Sequence, residues 1–510
     1  MILLHWHSSS VSANSSAAAA YRRHTLATMN ETTSSKTTIT TSQGTLSGRV
    51  ADGIRRYLGI PYGEPPFGDR RFAEPEAAGG WEGVRDAGAH GPTAPQAPYP
   101  GAIGELLSTA AIAGEDILTL NIWAPEAVRR GGAPVAVWLH GGAFERGTAA
   151  LPAYDGAAFA RDGVVFVSVN YRLGTEGFSV LDDAPRNLGL QDVALALQWV
   201  HREITAFGGD PGRITIMGES AGGSLVAALL ARDDMSPLVA GAIIQSGPLV
   251  ADSPRRAGRV TAQLAKRLGV ATTRAGFGAV PPGDVLVARR DLAAGSTPLR
   301  GAPGYSLAVD ERSLPRSPHD ALAQVDVPVL IGTNTDEYRL WFPPAALTRI
   351  GRIQLGIARF ALGISRRAMA AYRAAWPGAT TGELFGQLAT DVLLRAPAVR
   401  AARSRRAPTY VYEFAWSSPL RDLRAAHAME IGFMFDHLGT PDAERMTGAH
   451  APQQLADRMH ADWVSFISTG DPGWARFGDG EKVHRYDVEP AVVPLPRAEA
   501  LDALPAPRIR

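Results

Sequence analysis

From Gly44 onward, short apolar runs alternate with longer stretches in which apolar positions recur at helical spacing. That is the pattern of strands joined by crossover helices in a mainly parallel sheet. The runs at 134–139 and 164–169 are apolar almost throughout, which predicts central strands buried on both faces. A helix packed on that sheet is predicted over 194–200. Residues 213–217 predict a strand running straight into Gly218, and 221–230, small and apolar, predict a helix that the charged Arg232-Asp233-Asp234 ends. Three further strands are predicted at 242–245, 327–331 and 409–414. The Ala- and Arg-rich stretches at 253–322 and 340–406 predict helical excursions over one sheet rather than separate domains. The fold class is α/β, in one domain over 41–510, and no internal repeat interrupts it.

The first 40 residues are rich in Ser, Thr and Ala and predict a disordered tail. They lack the basic start, apolar stretch and small-residue cleavage site, in that order, of a secretory signal. Met29 is a candidate translation start. No later run reaches the roughly 18 apolar residues of a membrane span.

Composition narrows the function classes. A net charge of +1 over 510 residues gives no electrostatic reason to expect nucleic acid or an anionic membrane surface as partner, and a small neutral substrate fits better. The chain has no cysteine, which excludes disulfides, thiolate metal sites and a cysteine nucleophile, and suits a reducing cytoplasm. We therefore expect a soluble, cytoplasmic protein. Its oligomeric state is not set by the sequence.

The candidate chemistry begins at Gly218-Glu219-Ser220-Ala221-Gly222. A strand turning sharply into a helix holds a serine on a strained elbow, hydroxyl outward and helix N-terminus behind it, and flanking glycines let backbone segments pass closely. By residue frequencies alone such a match arises a few tenths of a time in a chain this rich in glycine. Its weight comes from the strand before it and the helix after it. Upstream, the strand ending at Leu139 opens into His140-Gly141-Gly142-Ala143-Phe144, a loop able to aim backbone N–H groups at a developing oxyanion. Gly142, Ala143 and Ala221 are the candidate donors, and an ordinary glycine turn is the alternative for the loop taken alone.

With these segments the chain resembles the type-B carboxylesterases, the branch of the α/β-hydrolase superfamily that includes bacterial para-nitrobenzyl esterases and the animal carboxylesterases and cholinesterases. The resemblance runs from about Gly44 to Pro472 and rests on many blocks: Leu58-Gly59-Ile60-Pro61-Tyr62, Gly114-Glu115-Asp116-Ile117-Leu118, Asn170-Tyr171-Arg172-Leu173-Gly174, Phe207-Gly208-Gly209-Asp210-Pro211 and Gln245-Ser246-Gly247 among them. It implies an α/β-hydrolase fold with helical insertions over the active site, and a cofactor-free, metal-free serine esterase acting on small neutral esters. Carbamates and amides, or a non-catalytic binding protein of the same fold, are the alternatives.

The resemblance assigns the acid to Glu337, in the block from Ile331 to Glu337, with Asp336 as its close rival; residues alone leave Glu337 a solvated carboxylate at the end of an apolar strand. Five histidines follow it. His460 and His437 suit packing roles, whereas His427, before Glu430 and Phe433, resembles the family's catalytic block, with Ala-Ala before it and Ala after it where the family favours Gly-Ala and Gly. The half-cystines of a frequent family disulfide fall at Ala94 and Ile117, and the loop 97–114 has no tryptophan of the kind that binds quaternary ammonium in cholinesterases. Choline esters are therefore poor candidates. Phe144, Trp341, Phe342 and Phe433, with Met434, are candidate pocket walls or else core. The resemblance further implies ion pairs Arg71–Glu115 and Arg172–Asp192, and a Ser246 that supports hydrogen bonding around Glu219.

Overall fold

The computed structural model describes residues 34–127, 130–293 and 304–505. Its centre is a 13-stranded sheet in the order β1-β2-β3-β5-β7-β6-β8-β9-β10-β11-β12-β13, with β4 paired to β2. The strands are β1 (Ser35–Thr41), β2 (Gly44–Ala51), β3 (Ile54–Pro61), β4 (Val84–Asp86), β5 (Thr119–Pro125), β6 (Ala133–Leu139), β7 (Val165–Val169), β8 (Gly209–Glu219), β9 (Gly241–Gln245), β10 (Val329–Asn334), β11 (Thr409–Phe414), β12 (Lys482–Tyr486) and β13 (Ala491–Pro494). From β7 through β6 and on to β12 every neighbouring pair is parallel. The pairs outside that run are antiparallel, apart from β2 with β4.

Why the central strands are apolar throughout is visible in β6. Val135, Val137 and Leu139 join one core while Ala136 and Trp138 join the other, because successive side chains point to opposite faces. The first core also takes Leu190 and Leu197 of the helix Leu188–Glu203 and Leu225 and Val226 of the helix Ala221–Leu230. The second takes Met459, Trp463 and Phe466 of the helix Gln453–Thr469. Helices thus cover both faces, as a parallel sheet requires.

The predicted strands are present, with bounds moved by a few residues. One boundary is corrected: residues 35–40, placed in the tail, pair with β2 as an edge strand in which Ile39 packs on the core. Alternation over a Thr-rich segment carries little hydrophobic signal, so pairing with β2 decided it. The rest of the tail, including Met29, lies outside the described residues. No helix among the described residues is long and apolar enough to cross a membrane.

Candidate active site

The loops leaving the C-terminal ends of β6, β8, β10 and β11 converge, where open α/β sheets place their ligand sites. Ser220 follows β8 with φ 57° and ψ −120°, the strained turn anticipated from its motif. The flanking glycines are sterically required. A Cβ on Gly222 would lie 1.9 Å from the carbonyl oxygen of Leu139, and one on Gly218 2.6 Å from the carbonyl carbon of Gly222. The elbow is thereby pressed against the end of β6.

The loop after β6 is shaped by its own bonds. Glu145 and Arg146 N–H both donate to the Gly142 carbonyl at 3.0 Å, and Gly174 N–H donates to that of Phe144 at 2.6 Å. Gly142, Ala143 and Phe144 all have positive φ, at 115°, 56° and 60°. Two such non-glycine residues in succession cost on the order of 1–3 kcal/mol each, a strain that marks functional loops. His140 fixes the loop's start. Its ring stacks on Tyr171 at 4.5 Å and its Nδ1 donates to the Gly141 carbonyl at 2.8 Å, while burial lowers its pKa to about 4, so the ring is neutral. Among the described residues the N–H groups of Gly142, Ala143 and Ala221 donate to no protein acceptor.

Glu337, fully buried, begins the short turn after β10. Its Oε2 lies 2.6 Å from Nδ1 of His427, and its Oε1 accepts from Ser246 Oγ at 2.6 Å and from Asn334 N–H at 2.8 Å. A carboxylate this deep is tolerated only with partners of this kind. Arg395 braces the loop by donating to the carbonyls of Asn334 and Thr335. The rival Asp336 is engaged elsewhere, accepting from Gln387 Nε2 at 3.0 Å. Ser246 therefore supports Glu337, whereas its expected place was around Glu219.

The near neighbour of His427 Nε2 is a carboxylate and not the serine. Among the described residues Ser220 Oγ has no hydrogen-bond partner, and His427 Nε2 lies 3.0 Å from Glu219 Oε1. Burial works against a charged ring, yet the negative Glu219 and Glu337 outweigh it and raise the His427 pKa well above the usual 6.5. A third carboxyl, Glu430, lies behind them, fully buried, accepting from Asn334 Nδ2 at 2.6 Å. Burial, then the charges of Glu219 and Glu337, push it up from 4.5 to about 8, so it is neutral at pH 7. Neither acid stood out in the sequence: Glu219 was absorbed into the elbow motif, and the spacing of Glu430 from His427 carried no signal of burial.

A raised folded-state pKa gives stability that is fully present below 4.5 and is lost as pH rises towards about 8. Glu430→Gln, which stays neutral, is therefore expected to show a smaller fall in melting temperature between pH 5 and 8 than the parent. Identical profiles in calorimetry would remove Glu430 from this role.

A cavity of about 340 Å³ opens on Ser220, Gly142, Ala143 and His427. The helix Gly101–Leu106, inside the loop that lacks tryptophan, supplies Ile103 and Leu106 to its wall, facing Leu340, Trp341, Met429 and Ile431. Trp341 also packs on the His427 ring at 4.7 Å. The other proposed wall residues are core. Phe144 packs on Phe178, Phe342 on Phe385, and Phe433 between Phe414 and Trp416. Proximity in sequence misled because neighbouring side chains on these short turns point to opposite sides. His437, set aside as structural, reaches the cavity; His460 is buried and bonds the Met434 carbonyl.

Two scaffold pairs were expected. Arg172–Asp192 is present, bidentate and almost solvent-free. Arg71 instead pairs with Glu176, at 2.7 Å, because that carboxylate is buried beside it. Ala94 and Ile117, where a disulfide would fall, are both buried and apolar.

The mainly parallel sheet flanked by helices and the serine elbow after a central strand define an α/β-hydrolase fold. Residues 35–484 match the model of the carboxylesterase family, and the chain belongs to that family. It is 34% identical over 461 residues to the para-nitrobenzyl esterase of Bacillus subtilis (strain 168), covering 85% of this chain and 90% of that one. Identity is also 34%, over 456 residues and the same shares, with the phenmedipham hydrolase of Pseudarthrobacter oxydans. The crystal structure of a Geobacillus stearothermophilus carboxylesterase superposes with a TM-score of 0.82 at 32% identity, covering 92% of this chain and all of that one. The protein is a serine carboxylic-ester hydrolase.

Proposed function

We propose that Ser220 is the nucleophile, His427 the general base and Glu337 the carboxylate that orients it, with the N–H groups of Gly142, Ala143 and Ala221 as the oxyanion hole. The observation that carries this is the buried relay from Ser246 through Glu337 to His427, which ends on the same cavity as Ser220 and the unbonded N–H groups of Gly142 and Ala143, with Ala221 next in the chain to Ser220. His427 Nε2 swings from Glu219 to take the Ser220 proton as Oγ attacks the ester carbonyl carbon. Negative charge then develops on the carbonyl oxygen and is met by the free N–H groups. The imidazolium, steadied by Glu337, returns the proton to the departing alcohol. Water, deprotonated by the same ring, releases the acid from Ser220.

The substrate we infer is a small neutral ester, since the cavity wall is largely aliphatic and aromatic. A carbamate is the second reading, favoured by the phenmedipham hydrolase among the relatives. No step calls for a cofactor, metal or nucleic acid. We further propose that the residues from Ser35 onward act as one domain, and that a chain without cysteine works in a reducing cytoplasm.

The base must be neutral to accept a proton, and a raised pKa keeps it protonated to higher pH. Hydrolysis of para-nitrophenyl butyrate is therefore expected to fall, as pH drops, through a midpoint above 6.5. Glu219→Gln removes one of the two charges holding the proton and moves that midpoint down. A kcat/KM profile flat through this range, or an unmoved midpoint in Glu219→Gln, would count against His427 as the base.

A further inference from the structure

Net charge averages away a local excess. Between Trp341 and Gly382 the chain carries six arginines, Arg349, Arg352, Arg359, Arg366, Arg367 and Arg373, and no Asp, Glu or Lys. This segment therefore holds +6 in a protein whose total is +1, and the remainder is net negative. None of the six takes part in an ion pair among the described residues, and five are exposed; Arg359 is partly covered and donates to the Ile364 carbonyl. Elsewhere on this protein arginines are commonly matched by carboxylates, as at Arg172, Arg403 and Arg424.

The same segment shows the largest apolar exposure of the described surface. In the helix Arg352–Ala361, Ile353, Ile357 and Phe360 are 76%, 65% and 85% exposed. At the helical repeat these three fall within about 60° of one another, and Leu355, 5% exposed and packed in the core, lies on the opposite side. The helix is thus anchored by one face and presents a second apolar face outward, with Arg352 and Arg359 together along one of its edges. Isolated exposed apolar residues need no explanation, but a helical stripe bordered by unpaired cations does.

We propose that this face docks on an anionic lipid bilayer, Ile353, Ile357 and Phe360 entering the interface and the arginines meeting headgroup phosphates. An apolar stripe with a basic border is the pattern of helices that lie in a membrane surface. Each arginine close to an anionic surface adds about a fivefold gain in partition. A second copy of the chain fits worse, because a two-fold contact through this face would set arginines against arginines with no carboxylate between them. Nucleic acid would engage the cations and leave the three apolar side chains uncovered.

The placement gives the face a purpose. The helix Arg352–Ala361 packs on the helix Thr381–Thr390, which packs on the turn Glu337–Leu340 that leads into Trp341 of the cavity wall. Docking would hold the hydrolase where lipophilic esters concentrate. The inference does not depend on the roles assigned to Ser220, Glu337 or His427.

The test is co-sedimentation of the full chain with vesicles of phosphatidylcholine carrying about one-third phosphatidylglycerol, beside phosphatidylcholine alone. Binding to the anionic vesicles is expected, weaker by at least about tenfold on the neutral ones and at high salt. Ile353→Ser/Ile357→Ser/Phe360→Ser and, separately, Arg352→Gln/Arg366→Gln/Arg367→Gln should each lower binding by about tenfold or more. Both should keep the parent's melting temperature and its hydrolysis rate on a water-soluble ester, which reports folding. Absence of binding, equal binding to both vesicle types, or serine variants that bind as the parent does would overturn the proposal. So would a dimer in sedimentation velocity that the serine variant splits, since that result gives the face to a second copy.

Discussion

Ser220→Ala is expected to lower kcat on para-nitrophenyl butyrate by on the order of 10⁶ while leaving the melting temperature unchanged. The two halves of this expectation have separate causes. Ser220 Oγ has no hydrogen-bond partner among the described residues, so its removal orphans none of them and opens only a hydroxyl-sized gap beside an existing cavity. The positive φ at 220 is set by Gly218, Gly222 and the end of β6, and alanine pays about the same strain there as serine. Catalysis, by contrast, loses the oxygen proposed to carry the acyl group. The proposed oxyanion donors remain, so a residual rate above that of water should persist. Equal turnover by the two proteins would sink the assignment of Ser220.

The second large effect is expected at a residue that touches no substrate. Gly222→Ala puts a methyl group 1.9 Å from the carbonyl oxygen of Leu139, a backbone atom at the end of a central strand that cannot swing aside as a side chain does. Either the helix Ala221–Leu230 retreats from β6 or the loop after Leu139 moves. Both separate the Ala221 N–H from those of Gly142 and Ala143, which in the proposed oxyanion hole meet one oxygen together. Losing a single such donor typically costs about 10²–10³ in rate, so kcat should fall at least that far. Because all of that helix is buried, the shift should also lower the melting temperature, unlike Ser220→Ala. A variant with parent-like kcat and stability would show that the elbow is looser than its contacts imply.

Much of the site was legible because its chemistry depends on local backbone. A serine elbow needs a strand, two glycines and a helix within a few residues of one another, and 213–230 spells out each of them. The loop at 140–144 is similar, since its glycines and the strand before it are contiguous. Glu337 and His427 were legible only through resemblance to a family, because the two residues are 90 positions apart and nothing local distinguishes them from surface groups. Ser246 was correctly placed near the site yet attached to the wrong carboxylate, and Arg71 to the wrong partner. Side-chain direction settles such pairings, and a sequence does not carry it. The wall residues failed for the same reason: Trp341 faces the cavity while Phe342, one position on, faces Phe385.

Electrostatics shows the division most clearly. Composition reports one positive charge for the whole molecule, and from that no anionic surface was expected. Folding leaves the arginines of 349–373 without an ion-pair partner among the described residues, Arg352 and Arg359 on the helix that carries an exposed apolar stripe, while in the interior it gathers Glu219 and Glu337 around one imidazole with Glu430 close to both carboxylates. The former gives a protein of near-zero net charge a strongly basic exposed segment. The latter raises the pKa of His427 and keeps Glu430 neutral.

What the sequence by itself determined is the architecture and the elbow: the order of strands and helices, the two-sided burial of β6 to β11, and a serine held where a strand becomes a helix. Those follow from periodicity and from glycine, which act over a few residues. Only the tertiary structure decided that Glu337 is sealed from water by Ser246 and Asn334, that His427 rests against Glu219 rather than Ser220, and that one aromatic of four lines the cavity. Each of these depends on distances between chain segments far apart in sequence, and on the loss of water between them, which gives a charge or a bond its strength.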